Sequence, residues 1–499
     1  MGRRVLMLGW EFPPFITGGL GTACYGLTKA LDRRGDDVTF VLPKHIDGQF
    51  ASHVHMLSPG SDLPHPSLPP PEAVQRERVE RDIVNQATEL ISKVMQQTVR
   101  PADVAAAAKS AGFNVISVPT SVSAPYVSSQ ANMTVQTLLG SAALRKTLNL
   151  PTWMSAQTRT WLTHELAMME ALPESGAGIN QEIQARGASS ADYGGNLIQE
   201  SEQYARFCLQ ATRGVAFDVI HAHDWLTYPA GLAIARATGK PLVVHVHSTE
   251  FDRSGEHVNQ PLYNIERRGM HGAVRVITVS MLTRNLVVNR YGVNPNKVDV
   301  VYNGVDLDPS GVGAEPIKRS DKIVLYFGRI TMQKGPEYFI SAAKRVLDVM
   351  DHVKFVVAGN GDQAQRMIEM AASMGIGNKV LFTGFLRGKD IPKVFAMADL
   401  YVMPSVSEPF GIAPLEALGH RVPVLISRTS GVSEILTNAL KCNFWDIDDM
   451  ANKIVAVLRH PPLQRTLRDS GFFEVRGITW DGAAAKVDAV YERAIAAVH

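Results

Sequence analysis

Glu408 and Glu416 stand eight positions apart in Ser405-Val-Ser-Glu408-Pro-Phe410-Gly411-Ile-Ala-Pro414-Leu-Glu416-Ala-Leu-Gly419. An apolar run, Leu400-Tyr-Val-Met403, precedes them, and Pro414 marks the first turn of a short helix, where its missing N–H costs nothing. The helix start offers backbone N–H groups and a positive dipole end to phosphate or sugar oxygens. One carboxylate can grip a vicinal diol while the other faces the crevice. Taken alone, the stretch reads equally as two solvated glutamates beside a helix. Earlier in the same half, Arg329 and Lys334 flank a loop at the end of an apolar run. A guanidinium fork and an ammonium both stay charged at neutral pH, and together they suit a diphosphate. A structural ion pair is the alternative for that loop by itself. Gly359-Asn-Gly361 allows close approach of the backbone to a ligand. Clamp, glycine turn and diol-gripping carboxylate together describe a pocket for a nucleotide sugar.

Such side chains need strands that end beside one another. Val5-Leu-Met-Leu8 reads as a buried parallel strand, followed by a loop and by Gly18-Gly-Leu-Gly21 at the mouth of a helix from Thr22 to Arg34. Val38 to Leu42 is the next strand, which makes a βαβ unit with Gly19 at the helix entrance. It is a poor dinucleotide fingerprint, because Cys24 occupies the place of the third glycine. The rhythm then lapses over residues 46–195, where helical spacing (Glu72 to Gln97, Trp161 to Leu172, Gln181 to Ala191) follows a proline-rich connector. It returns with Phe217 to His223-Asp224-Trp225, Pro241 to His247, Val274 to Ser280 and Val298 to Asp306, each with polar residues at its carboxyl end. The histidines of two of these strands have no carboxylate or cysteine at ligand spacing, so no metal is read there. His164-Glu165 likewise lacks a second histidine at zinc-site spacing. After Asp306 a fresh set begins: Ile323 to Phe327, Val353 to Ala358, Val380 to Phe385, Leu400 to Met403 and Val422 to Ile426. The expected fold is α/β, with two doubly wound Rossmann-like domains and a helical insertion in the first. Residues 1–308 are expected to form the first domain and 309–475 the second; 476–499 reads as a helix whose apolar positions Ala484, Val487, Val490 and Tyr491 suit packing back on the first, a crossing that rests in part on the family resemblance given below. Pro309, Gly311 and Gly313 give the connector the composition of a hinge.

A chain of 499 residues suits two or three domains, and a net charge of +2 gives no reason to expect a nucleic-acid partner. Cys24, Cys208 and Cys442 are few, odd in number and far apart, as in a reducing compartment. No apolar run approaches a membrane span, and a strand rather than a signal sequence follows Met1-Gly-Arg-Arg. The expected location is cytoplasmic.

These segments resemble the retaining glycosyltransferases of the GT-B fold, in the group 1 (GT4-like) family. The resemblance covers 1–45 and about 195–499. It rests on Glu408-x7-Glu416 with Phe410-Gly411 between, on Gly328-Arg329 with Lys334-Gly335, and on His221-x-His-Asp-Trp225, Val279-Ser280 and Asn303-Gly-Val-Asp306. The opening Glu11-Phe-Pro-Pro-Phe-Ile-Thr-Gly-Gly-Leu-Gly21 is similar to the glycine loop of glycogen and starch synthases, with Thr17 where a lysine is usual.

The resemblance implies that Arg329 and Lys334 bind the donor diphosphate and that Glu416 takes the ribose hydroxyls. It sets Glu408 beside the transferred sugar, Phe385 near the base, and the N–H groups of Phe410, Gly411 and Ile412 on sugar oxygens. Gly19 completes the phosphate site on closure, and His247 sits near a sugar hydroxyl. The implied chemistry is front-face substitution in which the departing diphosphate takes the acceptor's proton. No metal and no other cofactor is implied, since two cations do what a metal does elsewhere. The Asp306-Leu-Asp308 and Asp446-Ile-Asp448 triplets formally match an Asp-x-Asp metal signature. The first lies between domains, and Asp448 reads as a helix cap. The expected donor is ADP-glucose or UDP-glucose and the acceptor a glucan or sugar. An epimerase or hydrolase on the same fold, and a non-catalytic sugar-binding module, remain as alternatives. A phosphorylase would need pyridoxal phosphate on a lysine that no segment supplies.

Overall fold

The computed structural model describes residues 2–13, 19–43, 52–58, 195–307, 320–386 and 390–498. Most of 46–195, with its three expected helices, and Pro309, Gly311 and Gly313 of the connector lie outside them.

The first sheet has seven strands: β1 (Arg4–Leu8), β2 (Asp37–Val41), β3 (His55–Leu57), β4 (Val219–His223), β5 (Leu242–Val246), β6 (Arg275–Thr278) and β7 (Val298–Val300). They lie in the order β3-β2-β1-β4-β5-β6-β7, and every pairing is parallel. β3 falls inside the stretch assigned to the insertion: His55–Leu57 pairs with Thr39, Phe40 and Val41, so the sheet runs on past residue 46. Three residues with one buried side chain, Leu57, are too short a signal to stand out in the sequence.

Both faces of this sheet are covered, which is why its strands read as continuous apolar runs. Leu6, Leu8, Ile220, Ala222 and Val244 face one core, while Val5, Met7, Val219, Val243 and Ile277 face the other. That second core is closed by the helix Gly19–Arg33 and by the C-terminal helix Trp480–Ala496, which buries Ala484, Val487, Val490 and Tyr491. The helix expected from Thr22 begins three residues earlier, at Gly19.

The second sheet has six strands: β8 (Lys322–Phe327), β9 (Val353–Ala358), β10 (Val380–Gly384), β11 (Leu400–Met403), β12 (Val424–Ser427) and β13 (Leu440–Cys442). Their order is β10-β9-β8-β11-β12-β13, again all parallel. Alternation divides Val324, Tyr326 and Phe355 from Leu325, Val356 and Tyr401 into cores on opposite faces.

The chain passes between the sheets twice, and the two crossings touch. The N–H of Val305 donates to Ile478 O at 3.1 Å. A Cβ on Gly304 would stand 2.2 Å from Trp480 N and 2.3 Å from the Thr479 carbonyl carbon, so only glycine fits there.

Candidate active site

In open parallel sheets, ligands bind beyond the carboxyl ends of the strands where the strand order reverses. In the second sheet that point lies between β8 and β11. The loop after β8 carries Arg329 and Lys334, and the loop after β11 carries Ser405 and Glu408. Gly335 holds the loops together: its φ is +61°, and a Cβ would lie 2.2 Å from Pro404 O. As a result Lys334 Nζ donates to Glu408 Oε2 at 2.5 Å, and Ser405 Oγ donates to the same oxygen at 3.3 Å. Glu408 is buried, its N–H bonded to Thr429 O (3.0 Å) and its carbonyl accepting from Gly431 N (2.9 Å). Arg329 is exposed, and among the described residues its guanidinium has no hydrogen-bond or ion-pair partner. The two cations expected at the diphosphate therefore differ: one is held by a carboxylate and, among the described residues, the other has no partner.

Gly359-Asn-Gly361 does allow close approach, but to the chain itself. A Cβ on Gly359 would sit 1.8 Å from Gly328 O, and one on Gly361 2.3 Å from Ile330 O. These glycines shape the loop that carries Arg329.

Beyond Glu408 the chain enters the helix Ala413–Gly419, with Pro414 in its first turn. Phe410 is buried, its ring 6.2 Å from that of Tyr302. Among the described residues the N–H groups of Phe410, Gly411 and Ile412 have no acceptor. Glu416 projects into a cleft of about 130 Å³ between the two sheets' domains, lined also by Tyr25, Asp306, Ile412 and Trp480. Burial there pushes its carboxyl up to about 7. Phe385 follows β10 and is exposed.

At the reversal point of the first sheet, between β1 and β4, Gly19 is the first, exposed residue of its helix. β4 and β5 bring His221, His223, His245 and His247 into one stack. The ring centroids are 4.2 Å apart for His221–His223 and for His245–His247, and 5.3 Å for His221–His245. His247 Nε2 meets His223 Nδ1 at 2.9 Å, and His221 Nδ1 meets Tyr491 Oη at 2.6 Å. His221 Nε2, His223 Nε2 and both nitrogens of His245 are buried without a partner. Burial lowers the pKa of all four, His221 and His247 to about 3, so the stack is neutral at physiological pH. His221, His223 and His245 bring ligand atoms within 4.8 Å of one another. The His221 and His245 rings, however, are within 7° of parallel, and parallel rings cannot both aim a lone pair at one ion without turning. Beside the stack, Asp224 accepts from the N–H groups of His247 (2.7 Å) and Ser248 (3.3 Å). Burial outweighs those bonds and raises its pKa to about 7.

Two contacts between the domains were invisible in the sequence. Ser407 Oγ donates to Asp252 Oδ1 at 2.6 Å. Glu434 accepts from the N–H groups of Met281 (2.9 Å) and Leu282 (2.7 Å), at the start of the helix Met281–Tyr291, and from Tyr302 Oη (2.9 Å). Thr249-x-x-Asp252 carries a capping-box signature that marks a helix start, which is the one local signal for Asp252. One expectation is corrected. Asp446, not Asp448, caps the helix Ile447–Arg459, accepting from Asp449 N at 3.0 Å. Asp448 lies inside the first turn, paired with Arg345 at 3.3 Å. Asp308 lies outside the described residues.

The model of the glycosyl transferases group 1 matches residues 313–472, that of Glycosyltransferase Family 4 residues 187–309, and that of the starch synthase catalytic domain residues 4–84. An uncharacterized glycosyltransferase of Methanocaldococcus jannaschii is 31% identical over 303 residues, which span 56% of this chain and 76% of that protein. The chain belongs to the group 1 glycosyl transferases. A glycogen synthase of Mycobacterium tuberculosis is 27% identical to this glycosyltransferase over 282 residues, 55% of this chain and 68% of the relative. Among solved structures, the sucrose-phosphate synthase of Thermosynechococcus elongatus superposes with a TM-score of 0.63 at 15% identity, over 99% of this chain and 100% of that one. Anabaena HepE in complex with UDP-glucose gives 0.55 at 16% identity, over 98% of both chains. The glycosyltransferase thus has the GT-B architecture of two Rossmann-like domains. Among the described residues no helix is long and apolar enough to cross a membrane.

Proposed function

We propose that this glycosyltransferase moves a hexose, glucose first among candidates, from a nucleotide-diphosphate sugar to a glucan or sugar acceptor with retention at the anomeric carbon. The reading rests on the Lys334–Glu408 pair beside a free Arg329 at the strand-order reversal of the second sheet. Arg329 and Lys334 take the diphosphate, and Glu408 lies against the transferred sugar. Phe410, Gly411 and Ile412 give their N–H groups to sugar oxygens, and Glu416 takes the ribose hydroxyls. The base lies by Phe385, Gly19 completes the phosphate site from the first domain, and His247 meets a sugar hydroxyl. In the transfer the bond from the anomeric carbon to the diphosphate oxygen breaks. The acceptor oxygen bonds to the same face, and its proton passes to the departing diphosphate. The two cations stabilise the charge that develops on the leaving group, so the reaction needs no metal. The relative named glycogen synthase favours glucose as the sugar and a glucan as the acceptor. Location in the cytoplasm goes with a donor of this kind.

The test incubates the protein with ADP-glucose or UDP-glucose and maltooligosaccharides, and reads the anomeric configuration of the product by NMR. Arg329→Ala and Lys334→Ala each remove a transition-state contact worth about 2.7–4 kcal/mol, so kcat should fall about 100- to 1000-fold. Nucleoside-diphosphate affinity measured by calorimetry should fall as well. Unchanged affinity in both variants refutes the clamp. Donor turnover with no acceptor requirement would favour an epimerase or hydrolase.

A further inference from the structure

We propose that Asp252 and Ser407 form a positioning latch that sets the His247 side of the cleft in register with the Glu408 side. The inference rests on the transferase reading above. The helix Glu250–Ser254 begins three residues after His247 and reaches the loop after β11 at Ser407, while Thr283 of the helix Met281–Tyr291 meets the same loop at Pro409 O (3.4 Å). Asp252 divides its oxygens between two tasks. Oδ2 accepts from Thr249 N (2.7 Å) and Thr249 Oγ1 (2.8 Å), which closes the helix's own capping box. Oδ1 is left for Ser407 Oγ at 2.6 Å, across 155 residues of sequence.

Neighbours on each side make the latch stiff. Arg253 is fixed by Glu250 at 3.1 Å, by Glu266 and by Ser248 Oγ at 2.9 Å, so the turn between His247 and Asp252 has little freedom. On the other side Ser407 lies between Val406, whose N–H bonds to Gln333 O at 2.9 Å, and Glu408, whose carboxylate holds Lys334. Each half is rigid by itself. Glu434 and the touching crossings also join the halves, and Ser407 with Asp252 adds the contact between the His247 turn and the Glu408 loop. Asp252 is buried, at 3% exposure, and Ser407 is half-buried; a hydrogen bond to a buried carboxylate is strong and directional.

Ser407→Ala removes the latch and leaves the capping box intact. Thr249→Val weakens the capping box and leaves the latch. Ser407→Thr keeps a hydroxyl. With UDP-glucose or ADP-glucose and maltooligosaccharide, Ser407→Ala should lower kcat about 10- to 100-fold, the scale of a misalignment near 1 Å. The donor KM should change by less than about threefold. Ser407→Thr should restore most of the rate, and Thr249→Val should lower thermal stability with little effect on kcat. Hydrogen–deuterium exchange supplies a readout that needs no turnover: 404–411 should exchange faster in Ser407→Ala and not in Thr249→Val. Wild-type exchange at 404–411 in Ser407→Ala overturns the latch, and faster exchange with an unchanged kcat overturns its positioning role. Absence of transfer by the wild type from both donors would count against the transferase reading, while the exchange data still decide the latch.

Discussion

Replacing His221 with phenylalanine should flatten the acid limb of the stability curve by a calculable slope. His221 is fully buried, and burial lowers its pKa from 6.5 to about 3. A folded-state pKa below the unfolded one means that the unfolded chain binds the proton first. Stability is therefore complete above 6.5 and is lost as the pH falls toward 3. Within that window each pH unit costs about 1.4 kcal/mol for one such histidine, hence about 2.7 kcal/mol between pH 6.5 and 4.5. The whole protein will not show this slope cleanly. Asp224 and Glu416, both raised to about 7, contribute stability at low pH that is lost as the pH rises toward 7. The difference between wild type and His221→Phe cancels those groups, and it involves no charge on the other three histidines, whose pKa values are also lowered. At pH 7 the variant should be the less stable, because the Tyr491 hydroxyl loses its partner, at a cost of about 1–3 kcal/mol. Toward pH 4.5 the gap should narrow by about 2.7 kcal/mol and can change sign. The assay is urea unfolding across a pH series, followed by the fluorescence of Trp225 and Trp480, which are buried in the cores on the two faces of the first sheet. Parallel stability curves for the two proteins would refute a neutral His221 held by burial.

Exhaustive chelation with EDTA should leave transfer unchanged; activity lost to chelation and restored by manganese or magnesium would contradict the assignment of leaving-group stabilisation to Arg329 and Lys334. Gly304→Ala should destabilise by at least about 1–3 kcal/mol in thermal melts, because a Cβ would press on the backbone of Thr479 and Trp480 at 2.3 and 2.2 Å. An unchanged melting temperature would mean that the two crossings move apart easily.

The sequence shows the parts of the site that depend on one strand and its following loop. Arg329 and Lys334 follow one apolar run and Glu408 follows another, and parallel sheets collect such ends along one edge. Their meeting was therefore readable although 74 residues separate Lys334 from Glu408. The histidines were visible too, but their stacking was not. It depends on the register of β4 against β5, which sets His223 beside His245. The glycines of Gly359-Asn-Gly361 show the limit of composition: a glycine signals a close approach and leaves the approaching partner unnamed. Here the partner is Gly328–Ile330.

The contacts between the domains had no local signature because they are fixed by the placement of two separately folded sheets. Glu434 sits in a short turn with nothing in its neighbours to mark it, yet it caps a helix of the other domain. Asp252 is spent on its own capping box in any local reading, and only the second carboxylate oxygen is free to reach Ser407. Each half of the cleft holds its own side chains without help from the other: the Lys334–Glu408 pair in one, the histidine stack and Asp224 in the other. On the function proposed above a donor touches both halves, and it then needs them in register. That register depends on a few polar contacts and on two touching crossings, whereas each sheet is held by a full core on both faces. Perturbing these contacts should therefore change the rate of transfer more than the stability of either domain.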